Sequence, residues 1–340
     1  MFAVIDCGTT TTRIYVVEDN GTIIASGRTK VGVRDTSITG SREKLRNGVK
    51  DLFFRVIQEN GLKDEDVKFA IASGMITSEI GLIEIPHVVA PAGMEELVDG
   101  IEKVEDPAVL PIGRPVYFIR GIRNHYLEHV RAQDLRQVDF MRGEEVQVMG
   151  ILKMRNIPLP ANIVTLSSHT KNIYVNADGK VEASCTTISG QFYEAMVNST
   201  SIGKSIIPTE GEEAGGYTYE EMVEIAKECV DHGGLGRSMM MPRFLQVLMK
   251  TNSTEREIFT DAAIVADDIG SFREMKEQGY SSRYYLFYGQ EGRCKMYKYM
   301  LQKELGEDVQ IDIVYDSDEI DQFTIQGAIA VAAKIIEQND

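Results

Sequence analysis

The chain has 340 residues, 43% apolar and 26% charged, which is typical of a globular protein rather than a disordered or fibrous one. Acidic residues outnumber basic ones by 52 to 36, so a general basic surface for nucleic acid is excluded. No apolar run reaches the roughly 18 residues of a membrane span, and the opening residues lack the basic start of a secretory signal. Four scattered cysteines without CxxC spacing favour a reducing, cytoplasmic location. The length suits two domains acting on small molecules.

The first third of the chain begins with a β-hairpin and continues as alternating strands and helices. Strands are predicted over 2–5, 13–17 and 22–26, and Asn20-Gly21 marks the turn between the last two. Apolar residues at helical spacing predict a helix over 41–59, which Gly61 ends. Further strands are predicted over 68–72, 87–89 and 116–119, and a helix over 140–153.

The opening hairpin pattern occurs a second time, 159 residues later. Ile14-Tyr15-Val16 aligns with Ile173-Tyr174-Val175, and Gly8-Thr9 then falls on Ser167-Ser168. The period is far too long for a solenoid, so it predicts two similar α/β domains. A chance likeness between two common hairpins is the alternative.

The last third contains more helix than strand. Helices are predicted over 218–230, 242–250, 255–276 and 323–338, with another ending near Leu305, and strands over 284–287 and 309–314. Gly150 and Gly327 lie inside predicted helices, where glycine costs about 1 kcal/mol relative to alanine. A close helix–helix crossing would explain both glycines, and loose packing or a slight kink is the alternative.

The turn after the first strand has the composition of a phosphate-binding site. Asp6 stands at the strand end, where its carboxylate could hold magnesium. Gly8 permits a tight turn, and the hydroxyl and N–H groups of Thr9 and Thr10 could donate to phosphate oxygens. Arg13 follows on the next strand. An ordinary hairpin turn, with these polar groups satisfied locally, is the alternative.

The repeated turn would place a second set of polar groups around a phosphate. Ser167 and Ser168 occupy the turn, with His169 and Lys171 directly after it. Lys171 could pair with a phosphate or with a substrate carboxylate. His169 is interpreted as part of this site, although a hydrogen-bonded structural histidine is the alternative.

Two further segments carry candidate functional groups. Glu144 and Glu145 open a predicted helix, and one of them could accept the proton of an attacking hydroxyl, with Glu144 preferred. Acidic residues that only complement the helix dipole are the alternative. Gly289-Gln290-Glu291-Gly292 joins a strand to a helix, and its glycines suit the approach of adenine or ribose to the backbone.

Together these motifs resemble the 2-dehydro-3-deoxygalactonokinase family of sugar-acid kinases. The similar segments are D-x-G-T-x-x-x-R from Asp6, M-R-G-E-E from Met141, the Gly74-Met75 segment with Ser78, the Gly32-Val33 pair, the H-x-K at His169 and Gln326-Gly327. The resemblance implies an α/β fold of two ribonuclease H-like, actin-like ATPase domains with a central cleft. Residues 1–150 and the returning helix 323–338 would form the sugar-acid side. Residues 151–322 would form the adenosine side.

The resemblance also implies the chemistry. ATP, with Mg²⁺ near Asp6, would phosphorylate the terminal hydroxyl of 2-dehydro-3-deoxy-D-galactonate. The implied substrate-binding residues are Gly32, Val33, Arg34, Gly74, Met75, Ser78 and Arg142. No membrane or nucleic-acid partner is implied, and a homo-oligomer is compatible with the sequence. A glycine of the family's second motif is replaced by Ser167. A non-catalytic nucleotide or sugar-acid sensor, a hydrolase and a kinase for a related sugar acid are therefore the alternatives.

Overall fold

We describe the fold from a computed structural model, which describes residues 1–126, 131–208, 211–212, 215–306 and 308–339. The strands are β1 (Phe2–Cys7), β2 (Thr12–Val17), β3 (Ile23–Thr29), β4 (Ala70–Gly74), β5 (Val88–Val89), β6 (Glu102–Val104), β7 (Val116–Phe118), β8 (Ile122–Arg123), β9 (Phe140–Met141), β10 (Ala161–Leu166), β11 (Thr170–Val175), β12 (Val181–Thr187), β13 (Tyr284–Gly289) and β14 (Gln310–Val314). The helices are α1 (Val33–Thr39), α2 (Glu43–Glu59), α3 (Met94–Asp99), α4 (Glu144–Met154), α5 (Ser189–Ser199), α6 (Gly203–Ile206), α7 (Tyr219–Ser238), α8 (Met241–Val247), α9 (Ser253–Glu277), α10 (Glu291–Leu305) and α11 (Ser317–Asn339).

The first large sheet has the strand order β3-β2-β1-β4-β7-β6. Its first three strands form an antiparallel meander, in which Asp6 of β1 lies opposite Arg13 of β2. Strands β4 and β7 continue the sheet parallel to β1, and Asp6 is paired on that side with Ser73. The carboxyl ends of β1 and β4 therefore lie side by side.

The second large sheet repeats this plan in the order β12-β11-β10-β13-β14. Strand β13 is parallel to β10, with Leu166 opposite Gly289, and β14 is parallel to β13. Strands β1 and β10 begin at residues 2 and 161 and end at residues 7 and 166, a constant difference of 159. The predicted α/β fold of two ribonuclease H-like sheets is thus confirmed, and the hairpin pattern repeated in the sequence corresponds to the same strands in both sheets.

The chain forms two compact units. The first comprises Met1–Leu159, Val175–Ser184 and Asp318–Asp340. The second comprises Pro160–Tyr174 and Cys185–Ser317. Helices α4 and α11 both belong to the first unit, and helices α7, α9 and α10 belong to the second.

Each unit has its own apolar core. In the first, α2 buries the apolar residues whose helical spacing predicted it. These are Leu45, Val49, Leu52, Phe53, Val56 and Ile57. Burial of each such side chain contributes about 1.5–3 kcal/mol. In the second unit the central element is α9, whose Phe259, Val265 and Phe272 are buried together with Phe287 of β13.

The structure differs from the sequence prediction at several helices. Helices α1, α3 and α6 were not predicted, and α11 begins at Ser317 rather than at residue 323. The helix predicted over 140–153 begins only at Glu144, because Gly143 has a φ of +110°, and Phe140–Met141 forms strand β9 instead. Helix α5 was not predicted. Only Ser189 and Met196 of this helix are buried, so it lacks the apolar periodicity that signals a helix.

The predicted close crossing between two glycine-bearing helices is confirmed within the first unit. A Cβ atom on Gly150 of α4 would lie 1.8 Å from the carbonyl oxygen of Phe323. A Cβ atom on Gly327 of α11 would lie 1.9 Å from the carbonyl oxygen of Val146. Neither position can accept a side chain unless the helices separate.

We therefore expect Gly327→Ala to lower the free energy of unfolding by about 1–3 kcal/mol, the usual cost of overpacking. The matched control is Gly270→Ala in α9, where nothing lies within 4 Å of the added methyl group. That change should leave stability equal or raise it by up to about 1 kcal/mol, because alanine favours helix. Urea unfolding of both variants tests this, and equal stabilities would contradict the crossing.

Candidate active site

The first turn, between β1 and β2, presents polar groups at the end of a buried strand. The N–H of Gly8 donates to the carbonyl oxygen of Thr11 at 2.9 Å and closes the turn. Thr9 and Thr10 are exposed at its tip. A Cβ on Gly8 would make only an ordinary contact, 3.4 Å from the oxygen of Thr11, so the turn itself does not require glycine there.

The start of α1 packs against this turn and orients its peptide groups. The N–H groups of Val33 and Arg34 donate to the carbonyl oxygens of Gly8 (3.3 Å) and Thr9 (2.9 Å). Since C=O and N–H point in opposite directions in a trans peptide, the N–H groups of Thr9 and Thr10 point away from α1. Gly32 makes this approach possible, because a Cβ there would lie 2.5 Å from the oxygen of Thr9.

The second turn, between β10 and β11, has the same support from α5. The N–H of Ser167 donates to the oxygen of His169 at 3.1 Å, and the N–H of Gln191 donates to the oxygen of Ser168 at 2.9 Å. The N–H of His169 therefore points away from α5. A Cβ on Gly190 would lie 2.1 Å from the oxygen of Ser167. Apart from the glycines themselves, no sequence pattern indicated that either helix start contacts a turn.

A glycine at the end of the neighbouring parallel strand completes each turn. Gly74 ends β4, and a Cβ there would lie 2.7 Å from the oxygen of Cys7. Gly289 ends β13, and a Cβ there would lie 2.3 Å from the oxygen of Leu166. Gly74 and Gly289 were both predicted as site residues, and each lies directly beside the strand that leads into a turn.

Asp6 belongs to a charged group that the sequence only partly predicted. Arg13 Nη1 lies 3.3 Å from Asp6 Oδ2, and Arg13 Nη2 lies 3.7 Å from Oδ1 of Asp321 on α11. Burial raises the pKa of Asp6, while Arg13 opposes that rise. Two carboxylates here share one guanidinium, so the group fits an additional cation such as Mg²⁺. No sequence spacing indicated Asp321, 315 residues from Asp6.

The second unit contains a cavity of about 580 Å³ beside the second turn. Four predicted residues line it, namely Ser167, Ser168, Gln290 and Gly292. The other lining residues were not predicted, and they are Leu166, Gly190, Tyr193, Glu194, Tyr219, Glu257, Ile258, Asp261, Arg293 and Met296. Aromatic and apolar faces combined with a few polar groups are typical of a small-molecule site.

The comparisons with known proteins agree with this architecture. The sequence profile of the 2-keto-3-deoxy-galactonokinase family matches residues 6–327. The chain belongs to this family. The probable 2-dehydro-3-deoxygalactonokinase DgoK1 of Rhizobium meliloti (strain 1021) is 21% identical over 231 residues, 67% of this chain. That alignment spans 66% of the relative, just under two thirds of its length.

Solved structures show the fold of the family. A Sinorhizobium meliloti protein, provisionally named a 2-dehydro-3-deoxygalactonokinase, superposes with a TM-score of 0.73 at 18% identity. The match covers 98% of this chain and 97% of that one. A reductive activator for a corrinoid, iron-sulfur protein has a TM-score of 0.53 at 10% identity, over 99% of this chain and 62% of that one.

Several predicted substrate-binding side chains have structural contacts in this member of the 2-keto-3-deoxy-galactonokinase family. Arg142 donates to Thr77 Oγ1 (2.8 Å) and to the carbonyl oxygen of Ile85 (2.7 Å). The buried Ser78 hydroxyl donates to the carbonyl oxygen of Met75 at 2.7 Å. Val33 lies in the core. Arg34 is exposed and remains the accessible cation of this group.

The two glutamates that open α4 have different environments. Glu145 is fully buried, and both its carboxyl oxygens accept from the N–H of Gly143 at 2.7–2.9 Å. Burial, together with the charge of Glu144, raises the pKa of Glu145 to about 8. Glu144 is only half-buried. Glu145 therefore caps the helix, whereas Glu144 is the more accessible of the two carboxylates.

His169 and Lys171 also differ in accessibility. Lys171 is buried, and its Nζ donates to Thr186 Oγ1 at 3.0 Å. His169 is half-buried, and its Nδ1 lies 3.1 Å from Ser168 Oγ. Burial and the charge of Lys171 lower the pKa of His169. Neither residue lines the cavity. Ser167 has no left-handed backbone, so the loss of the family's glycine causes no strain at this turn.

Metal-binding clusters and membrane-spanning helices are both absent from the described parts of the chain. In those parts, three or more His, Cys, Asp or Glu side chains nowhere converge in a metal-binding arrangement. The helices there include none with the length and apolar character needed to cross a membrane.

The raised pKa of Glu145 predicts a pH-dependent stability difference between the wild type and Glu145→Gln. Between pH 4.5 and 8 the unfolded chain releases the Glu145 proton while the native protein retains it. The wild type then loses up to about 1.4 kcal/mol of stability per pH unit from this group, a loss that glutamine does not incur. In thermal unfolding, the stability of Glu145→Gln relative to the wild type should therefore increase from pH 4.5 to pH 8. Glu59→Gln, at an exposed position, is the control, and its stability relative to the wild type should not depend on pH in this way. If the stability difference between Glu145→Gln and the wild type did not change with pH, the raised pKa of Glu145 would be contradicted.

Proposed function

We propose that this chain transfers the γ-phosphoryl group of ATP to the terminal hydroxyl of 2-dehydro-3-deoxy-D-galactonate. The observation that carries this proposal is the pair of turns whose carbonyl oxygens are held by a helix start. Each such turn directs peptide N–H groups to the opposite side, where they can bind phosphate oxygens. The name of the Rhizobium meliloti relative supports the choice of sugar acid.

The second unit would bind the nucleotide. Tyr193 and Tyr219 offer aromatic faces for the base, and Glu257 offers carboxylate oxygens for ribose hydroxyls. Ser167 and Ser168 line the same cavity, so the phosphates would extend towards the second turn. Because Lys171 is tethered to Thr186, it would contribute positive charge from beneath the turn rather than a direct phosphate contact.

The first unit would bind the acceptor and the terminal phosphate. The N–H groups of Thr9 and Thr10 are oriented for an anion, and exposed Arg34 would pair with the carboxylate of the sugar acid. Met75 and Gly74 would form the adjoining wall. Arg142 would act indirectly, by holding the segment that contains Thr77 and Ile85.

The reaction requires one bond to form and one to break. The terminal hydroxyl oxygen bonds to the γ-phosphorus, and the bond to the β–γ bridging oxygen breaks, so that ADP leaves with the electron pair. Glu144 would accept the hydroxyl proton. Asp6, with Asp321 close to the same guanidinium, would hold the Mg²⁺ that neutralises phosphate charge when the nucleotide is bound.

Two further points accompany this proposal, namely the choice of a kinase over a sensor and the cellular location. The alternative of a non-catalytic sensor rested on the altered second turn, and the absence of a left-handed backbone at Ser167 favours the kinase over it. A cytoplasmic location is proposed because all four cysteines are free thiols.

We expect ADP release from ATP and Mg²⁺ only when the galactonate-derived acid is present. A coupled assay with a panel of 2-keto-3-deoxy sugar acids measures this, and the C4 epimer is the sharpest control. Release without any acid would indicate a hydrolase. A folded, nucleotide-binding sample that is inactive with every acid would contradict the proposal.

Glu144→Gln should reduce kcat by about 10²–10⁴-fold, the usual contribution of a general base. The affinity for a non-hydrolysable ATP analogue should not change, because Glu144 does not line the nucleotide cavity. Steady-state kinetics and calorimetry measure the two quantities. A kcat within a few-fold of the wild type would move the role of base to another group.

A further inference from the structure

Two residues that line the cavity of the second unit each have a buried polar atom without a hydrogen-bond partner in the part of the chain that the structure describes. Arg293 is only 7% exposed, and its Nη2 has no hydrogen-bond partner among the described residues. The hydroxyl of Tyr219 is also buried without such a partner. Both residues line the cavity beside the second turn. A buried donor without an acceptor is destabilising, so a bound molecule that supplies an acceptor would be bound more tightly.

An ion pair fixes the guanidinium in this position. Arg293 Nε lies 2.9 Å from Asp261 Oδ1, and the side chains are 9% and 18% exposed. Burial raises the pKa of Asp261, and the neighbouring Arg293 opposes that rise. The guanidinium is planar, so the bond through Nε also fixes the direction of the remaining N–H groups. The pair thus presents a donor and an acceptor side by side.

The surroundings of the pair match a planar heterocycle rather than a phosphate. Tyr193, Tyr219, Ile258 and Met296 supply aromatic and apolar faces in the same cavity, whereas Ser167 and Ser168 lie at the turn. Glu194 and Glu257 also line the cavity, and their charge would disfavour a second anion here.

We propose that the Asp261–Arg293 pair selects adenine by its polar edge. The amino group of adenine would donate to Asp261, and a ring nitrogen would accept from Arg293. Guanine has a carbonyl oxygen in place of that amino group and would set an acceptor against the carboxylate. This inference rests on the proposed nucleotide site and adds to it a determinant of base specificity.

The test is calorimetric binding of non-hydrolysable ATP and GTP analogues, and of purine riboside triphosphate, which lacks the amino group. The wild type should prefer the adenine nucleotide. Asp261→Asn combined with Arg293→Met should reduce that preference by about tenfold or more, the effect of losing one charged hydrogen bond. Changing both partners avoids leaving one buried charge alone.

The matched control removes the pair Arg273–Glu304 of the same unit, in which Arg273 Nε lies 2.6 Å from Glu304 Oε1 outside the cavity. Arg273→Met with Glu304→Gln should keep the wild-type preference. Tyr219→Phe, which keeps the ring, supplies a second test if the double variant does not fold, and it should also weaken binding of the adenine nucleotide.

Each outcome decides a separate question. Equal binding of the three nucleotides by the wild type, or an unchanged preference in the double variant, would overturn the inference. If the wild type bound no nucleotide, both this inference and the proposed function would fail. Selective adenine binding without phosphorylation of any sugar acid would contradict the proposed function alone, because the binding measurement contains no sugar acid.

Discussion

Both turns depend on the close approach of a glycine α-carbon to a backbone carbonyl oxygen. At Gly32 and Gly190 a side chain would lie 2.5 Å or less from such an oxygen. With hydrogen in that place, a helix start can reach the turn and bind its carbonyl groups. The direction of the opposite N–H groups then follows from the geometry of the peptide bond. The backbone thus orients these N–H groups before any ligand arrives, which would lower the cost of binding the phosphates of the proposed reaction.

The same backbone arrangement carries different side chains in the two units. The first turn lies beside two carboxylates and a shared arginine, Asp6, Asp321 and Arg13. The second turn carries Ser167, Ser168 and His169 and adjoins the cavity. The proposed function uses this difference, because it assigns a cation and the acceptor to the first unit and the nucleotide to the second. The shared strand order leaves these side chains free to differ, because none of them is needed for the backbone contacts of the turns.

Local patterns predicted much of the fold but little of the cavity. The hairpins and α2 follow from turn residues and apolar spacing, which act over a few positions along the chain. Asp321 and Arg293 could not be predicted in the same way, since only the folded chain brings them to Arg13 and Asp261. Helix α5 was not predicted, because it buries few apolar residues. Its start is held instead by a backbone hydrogen bond to the carbonyl oxygen of Ser168.

The choice between Glu144 and Glu145 shows how burial decides what spacing leaves open. Adjacent carboxylates at a helix start repel each other, and two such charges would also repel the phosphates of the proposed reaction. Burial resolves this by raising the pKa of Glu145 to about 8, so at neutral pH this residue mostly keeps its proton. It caps the helix through Gly143 and adds little negative charge. The half-buried Glu144 is the more accessible carboxylate of the pair, and accessibility to the acceptor hydroxyl is what the proposed proton acceptor requires.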